Sequence, residues 1–179
     1  MPGSAAESAG RVLETERLVL RRLTVEDAAF MLGLVNEPSW LRFIGDRGVR
    51  TLEDARRYVL EGPIAMYERL GFGLYATTLK ADASAPIGIC GLVKRDGLDD
   101  VDIGFALLPK FRGKGYAHEA AAAVMDYARS VVGLERVVAI TSADNESSAR
   151  LLERIGLRFE RMVRLTPGGE EIRLFAWEA

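Results

Sequence analysis

The stretch Asp102-Ile103-Gly104-Phe105-Ala106-Leu107-Leu108-Pro109-Lys110-Phe111-Arg112-Gly113-Lys114-Gly115-Tyr116-Ala117 constrains this fold more than any other. An apolar, strand-like run stops at Pro109, crosses a loop with two glycines, and enters an alanine-rich segment with helical spacing. Such a strand–loop–helix passage turns backbone N–H groups onto one point, where the helix dipole also favours an anion. Arg112 and Lys114 add positive charge beside it. The local chemistry is that of a phosphate or pyrophosphate cradle. The bland alternative is an ordinary strand-to-helix turn carrying two surface cations, and the flanking segments decide between them.

Two familiar phosphate loops fail here. A Walker A loop needs glycine where Leu108 stands and Ser or Thr where Gly115 stands. A dinucleotide fingerprint needs Gly or Ala at the place of His118, with an acidic residue ending a second strand.

The rest of the chain supplies the frame. Arg17–Arg22 reads as a strand, and Thr24 caps a helix carrying Ala28, Met31, Leu32 and Val35. A loop with Asn36, Pro38, Gly45 and Gly48 follows. Thr51 and Asp54 form a variant capping box for a second helix, which Pro63 kinks or divides. Strands are expected at Phe72–Leu79, Ile87–Val93 and Val101–Leu108. A helix over about Gly115–Val132 turns Ala120, Val124, Tyr127, Ala128 and Val131 inward and stops at Gly133. Val137–Thr141 is a strand, Glu146–Ile155 a helix, and Leu157–Leu165 with Glu171–Trp177 a closing hairpin around Pro167, Gly168 and Gly169. The order β-α-α-β-β-β-α-β-α-β-β reads as α/β or α+β.

At 179 residues the chain fits one domain, against about 100–200 residues per domain. Residues 1–12 are small and polar, a disordered lead-in to a domain over 13–179. A net charge of -2 argues against a nucleic-acid footprint. The single cysteine, Cys90, excludes an intrachain disulfide and reads as a small buried hydrophobe. The single histidine, His118, leaves too few ligands for zinc, and near a helix start it reads as a surface contact. No apolar run approaches the roughly 20 residues that span a bilayer, and no signal pattern opens the chain. A soluble, cytoplasmic protein is expected.

Arg112-x-x-Gly115-x-Ala117 resembles the Gln/Arg-x-x-Gly-x-Gly/Ala pyrophosphate loop of the GNAT superfamily of N-acetyltransferases. Thr15-Glu16-Arg17-Leu18-Val19-Leu20-Arg21 is similar to the first strand of the branch that acetylates ribosomal-protein N-termini. Pro86-Ile87-Gly88-Ile89-Cys90-Gly91-Leu92, Ile103-Gly104-Phe105, and Asn145-x-x-Ser148 with Ile155-Gly156-Leu157 resemble later segments of that branch, in order. The likeness covers about residues 14–178.

The resemblance implies a single GNAT-type domain, with a mostly antiparallel mixed sheet of about seven strands and about four helices. That sheet would splay between the fourth and fifth strands. The implied donor is acetyl-CoA, with no metal. Backbone N–H groups of Arg112, Gly113, Lys114, Gly115, Tyr116 and Ala117 would hold the pyrophosphate. The strand edge at Phe105, Ala106 and Leu107 would pair with the pantetheine arm, and an amide near Leu107 would face the thioester carbonyl. Asn145 would contact the cofactor. Asp102 matches a carboxylate that some relatives use as base, and Ser148 a serine near the cofactor sulfur. Leu152 stands where many relatives carry a tyrosine acid. Trp40, Phe43 and Ile44 lie where relatives shape the acceptor site.

Each reading has a structural competitor. Asn145 and Ser148 are good helix caps, Asp102 is a strand carboxylate beside Asp99 and Asp100, and Trp40 and Phe43 suit a core edge. The expected reaction is direct attack of a primary amine, a protein N-terminus or a small molecule, on acetyl-CoA. No activated nucleophile for a ping-pong route is visible. A non-catalytic acyl-CoA-binding sensor is the rival, and the closing strands suit a homodimer.

Overall fold

The computed structural model describes residues 10–179. Of the expected lead-in, residues 1–9 lie outside the described residues, while Arg11 and Val12 already belong to a strand. The chain runs β1 (Arg11–Glu14), β2 (Leu18–Arg22), a 3-10 turn (Val25–Asp27), α1 (Ala28–Val35) and α2 (Pro38–Phe43). Next come α3 (Leu52–Val59), a π turn (Leu60–Ile64), α4 (Ala65–Leu70), β3 (Leu74–Leu79), β4 (Gly88–Val93) and β5 (Asp102–Leu107). A 3-10 turn (Pro109–Phe111) leads to α5 (Tyr116–Tyr127), a second π turn (Ala128–Val132), β6 (Arg136–Ser142), α6 (Glu146–Arg154), β7 (Arg158–Val163) and β8 (Ile172–Glu178).

The local chemistry explains most boundaries. Thr24 with Asp27 and Thr51 with Asp54 both form reciprocal capping boxes, satisfying amides at the helix starts. Pro63 lacks an N–H and stands inside the π turn, so α3 and α4 continue as one interrupted helix. The expected loop before Thr51 contains α2, which begins on Pro38 at a first-turn position where proline costs nothing.

Among the described residues, eight strands form one mixed sheet in the order β1-β2-β3-β4-β5-β6-β8-β7. It has one more strand than the sequence pattern showed, namely β1. All pairings are antiparallel except β5 with β6. Side chains alternate across the sheet, and each face carries its own core. Tyr75, Cys90, Leu92 and Ile103 pack under Ala120, Val124 and Met125 of α5 and Leu152 of α6. Ala76 and Ile89 face the other way, against Met31 and Leu34 of α1, Trp40 of α2, and Ala55 and Val59 of α3.

One expected core position is displaced. Val131 is 68% exposed, although it continues the spacing of Val124 and Ala128. The π turn over Ala128–Val132 widens the helical repeat and rotates its last residues off the buried face. Gly133 then ends the helix in the left-handed conformation, as expected.

Candidate active site

β5 is fully laddered to β4, from Gly88↔Leu107 to Val93↔Asp102. With β6 it shares the single pair Asp102↔Val138, where the Val138 amide donates to the Val101 carbonyl at 3.0 Å. Beyond that point the two parallel strands are unpaired. Backbone groups alternate in direction along a strand. Those of Phe105 and Leu107 therefore point to the open edge, and those of Gly104 and Ala106 to β4. Of the three residues expected at this edge, Ala106 is turned away.

The loop after β5 is shaped by two short bonds and two glycines. Phe111 and Arg112 amides donate to the Leu108 and Pro109 carbonyls at 3.0 and 3.1 Å. The chain then passes through left-handed Gly113 (φ +74°) and Gly115 (φ +84°), a conformation that side chains disfavour. Gly115 is the N-cap of α5 and offers no capping side chain, so the first amides of the helix stay free of a cap. Among the described residues, the Gly113, Lys114 and Gly115 amides donate to no protein acceptor. The Arg112 amide, by contrast, is spent on Pro109.

The Arg112 side chain also departs from expectation. Its guanidinium folds back onto the Leu107 carbonyl (Nε 3.2 Å, Nη2 2.9 Å) and reaches Ser39 Oγ of α2 at 2.7 Å. It braces the end of β5 instead of adding charge to the cradle. Helix α2 makes a second contact across the cleft, where Arg42 pairs with Asp144 at 3.1 Å, just before α6.

Residues that local patterns left unnoticed hold the loop from behind. Glu119, in the first turn of α5, accepts from Thr15 Oγ1 at 2.6 Å, from the Arg17 amide at 2.8 Å and from Arg17 Nε at 2.7 Å. Arg17 also donates through Nη1 to the Lys114 carbonyl at 2.9 Å, and its guanidinium lies 4.4 Å from the Tyr116 ring centre. Burial pushes the Glu119 carboxyl up, but the Thr15 and Arg17 donors outweigh it and hold the group below its ordinary range. Thr15 and Arg17 were legible as part of a strand signature. Their partner, about a hundred residues away, was not.

Asp102 opens β5 and is 1% exposed. Its Oδ1 accepts from Arg95 Nε at 3.1 Å, and Arg95 Nη2 stands 3.0 Å from Oδ2. Burial raises its pKa, against the pull of Arg95 and Lys94. Its ladder partner Val93 lines a cavity of about 290 Å3 on the same sheet face, with Tyr58, Glu61, Pro63, Met66 and Leu74. Asn145 lies at the start of α6 and is spent as its N-cap, accepting from the Ser148 amide at 3.2 Å. Leu152 is buried beneath α6, in the core. Trp40 is likewise a core residue at 5% exposure, while Phe43 is half-buried under the Arg42 guanidinium. Cys90 is fully buried, which pushes its thiol up to about 12. His118 is half-buried in the first turn of α5.

A strand edge released from its neighbour, running into glycine-turned free amides at a helix start, can hold an extended chain ending in a diphosphate. The acetyltransferase (GNAT) domain family matches residues 17–158, most of the chain and all of this site except Thr15. The chain belongs to the GNAT family. Two Bacillus subtilis relatives described as uncharacterized N-acetyltransferases, YoaA and YnaD, are each 28% identical to it. They align over 86% and 83% of both chains, respectively. An acetyltransferase structure from Agrobacterium tumefaciens superposes with a TM-score of 0.78 at 26% identity, covering 93% of this chain and 94% of the other. The fold alone is shared with RimL, a ribosomal L7/L12 alpha-N-protein acetyltransferase seen in complex with coenzyme A. That match has a TM-score of 0.78 at 19% identity and covers 94% of this chain and 97% of the other. This GNAT protein is thus an acetyl-CoA-dependent acetyltransferase. None of its described helices is long and apolar enough to cross a membrane.

Proposed function

We propose that this chain transfers acetyl from acetyl-CoA to a primary amine, a protein N-terminus or a small molecule, in the cytoplasm. The observation that carries this reading is the continuity of the open β5 edge with the free amides of the Gly113–Gly115 loop. The amides of Gly113 to Ala117 hold the pyrophosphate, helped by the dipole of α5 and the exposed Lys114. Phe105 and Leu107 offer outward amides and carbonyls to the pantetheine arm. The Leu107 carbonyl is shared with Arg112, so the arm docks mainly upstream of it. Bound there, acetyl-CoA supplies an activated acetyl group as a thioester.

Asp102 is the base that relieves the attacking ammonium of its proton. Reach decides which amide can work with it. Leu107 lies five residues from Asp102, about 16 Å at ~3.3 Å per residue, and Phe105 three residues, about 10 Å. A base acts directly or through water, so the Phe105 amide is the better placed donor to the developing oxyanion. With Asp102 almost inaccessible, its proton arrives through water. Asn145 orders the start of α6 beside the cleft, and Ser148, half-buried one turn on, donates to the departing thiolate.

Beside Asp102, the cavity between α3, α4 and the sheet receives the body of the acceptor. The resemblance of Thr15–Arg21 and of the later segments to the branch that acts on ribosomal-protein N-termini supports a peptide acceptor. Thiol release from acetyl-CoA, followed with a panel of N-terminal peptides and small amines, tests the reading. Amine-dependent release is expected, and its absence across the panel would overturn it.

A further inference from the structure

Two carboxylates are buried among the described residues, Asp27 and Asp102, and they are used differently. Both oxygens of Asp27 are occupied, by the Arg21 guanidinium at 2.9 and 2.9 Å and by the Thr24 amide at 2.9 Å. That group is a helix cap. Asp102 caps nothing. Its side-chain partner is Arg95, in the connection between β4 and β5, which reaches back past Val93 to close on both oxygens. Nε makes a directed bond to Oδ1, whereas Nη2 lies close to Oδ2 without the direction of a hydrogen bond. Oδ2 is thereby left a buried acceptor with an unfilled lone pair. A buried polar atom without a directed protein donor is costly and uncommon and calls for an explanation, of which a role in proton transfer is one.

The other groups around Asp102 do not substitute for Arg95. The Lys94 ammonium is turned onto the carbonyls of Arg95 and Leu98. Tyr58 of α3 is within the influence of Arg95 and Arg47. From the flanking strands, Val93 and Val138 are apolar. Arg95 is therefore the cation in contact with the carboxylate, and its own side chain is 28% exposed, so its charge is partly solvated.

We propose that Arg95 is a positioning residue for acetyl transfer: it clamps Asp102 through Oδ1, keeps the carboxylate ionised, and leaves Oδ2 as the proton-accepting atom. This rests on Asp102 being the base. In the step, an N–H bond of the acceptor ammonium breaks and its proton passes through water to Oδ2. Asp102 becomes a neutral acid, and the amine gains the lone pair with which it attacks. Arg95 then faces a neutral partner until the proton returns to solvent. Burial already pushes the Asp102 carboxyl upward, and Arg95 supplies the largest opposing pull. Without that pull the base stays protonated to higher pH.

The test compares Arg95→Met, Arg95→Lys, Asp102→Asn and the double variant Arg95→Met/Asp102→Asn by kcat/KM against pH. The acetyl-CoA Kd of each is measured alongside. Arg95→Met should move the acidic limb up by about one pH unit or more, a roughly tenfold loss at a fixed pH below it. Arg95→Lys should keep the limb near its original place. The acetyl-CoA Kd should be unchanged, because Arg95 is far from the glycine loop along β5. In the double variant, adding Arg95→Met to Asp102→Asn should cost nothing further, since the arginine works through the carboxylate. If Arg95→Met unfolds the protein, carboxyl-carbon NMR titration of Asp102 in the wild type, Arg95→Lys and Arg95→Gln decides: the titration should match in the first two and move to higher pH in Arg95→Gln, and an unmoved titration in Arg95→Gln overturns the role. An unmoved limb in Arg95→Met beside a slow Asp102→Asn overturns the positioning role while leaving the base in place, as do additive effects in the double variant. A fully active Asp102→Asn at every pH overturns both.

Discussion

At Gly115 the backbone holds φ +84°, and an added Cβ would approach Arg17 Nη2 to 3.3 Å. A side chain in this conformation costs roughly 1–2 kcal/mol, and a carboxylate would also face the free amides that the proposed function gives to the pyrophosphate. Gly115→Glu should therefore abolish acetyl-CoA binding while the protein still melts cooperatively, as calorimetry and thermal unfolding together would show. Arg17 acts on the same loop from outside. Arg17→Ala removes the side-chain contacts to Glu119 and to the Lys114 carbonyl while keeping the backbone amide's bond to Glu119, and it should raise the acetyl-CoA Kd several-fold with kcat little changed. The glycines were legible because glycine is what a left-handed turn demands. Arg95 was not, nor were the partners of Arg17 and of the folded-back Arg112, because a long side chain can reach groups that no local pattern specifies. Asn145 was legible as both cap and cofactor contact, and the structure displays the cap.

Elements announced themselves where a local rule was obeyed. The two Thr–Asp capping boxes, Pro63 and Gly133 all act where the sequence placed them. Thr51→Ala should cost about 1 kcal/mol, the usual worth of an N-cap, measurable by urea unfolding and without effect on acetyl-CoA binding. β1 escaped notice because Arg11–Glu14 is short, with two exposed ends and only a half-buried centre, so no alternation marks it. The register of the sheet was also hidden. β8 inserts between β6 and β7, and that order depends on how faces pack rather than on any one strand. Likewise Val131 broke its helical spacing only because the helix widened into a π turn.

The whole molecule is a sheet with a core on each face, and its stability follows the side chains shared between sheet and helices. Leu20 and Met125 are both 0% exposed in the core beneath α5. Truncating either to Ala should cost about 2–5 kcal/mol, and for a chain of this size each kcal/mol lowers Tm by roughly 2–4 °C. Asp102 adds a pH dependence. Its carboxyl is raised in the folded state, so its contribution is fully present below the unfolded carboxylate pKa and is lost as pH rises through the folded value. Relative to Asp102→Asn, the wild type should therefore lose stability as pH rises through that window, as read by denaturant unfolding at successive pH values.

In the proposed function the open β5 edge and the glycine loop act as one binding surface for acetyl-CoA. Calorimetric titration of the purified protein with acetyl-CoA, set beside ATP, NAD and the Gly115→Glu variant, examines that surface. Saturable binding of acetyl-CoA alone, lost in the variant, is the expected result. No heat with acetyl-CoA, or ATP binding as well as acetyl-CoA does, would contradict it.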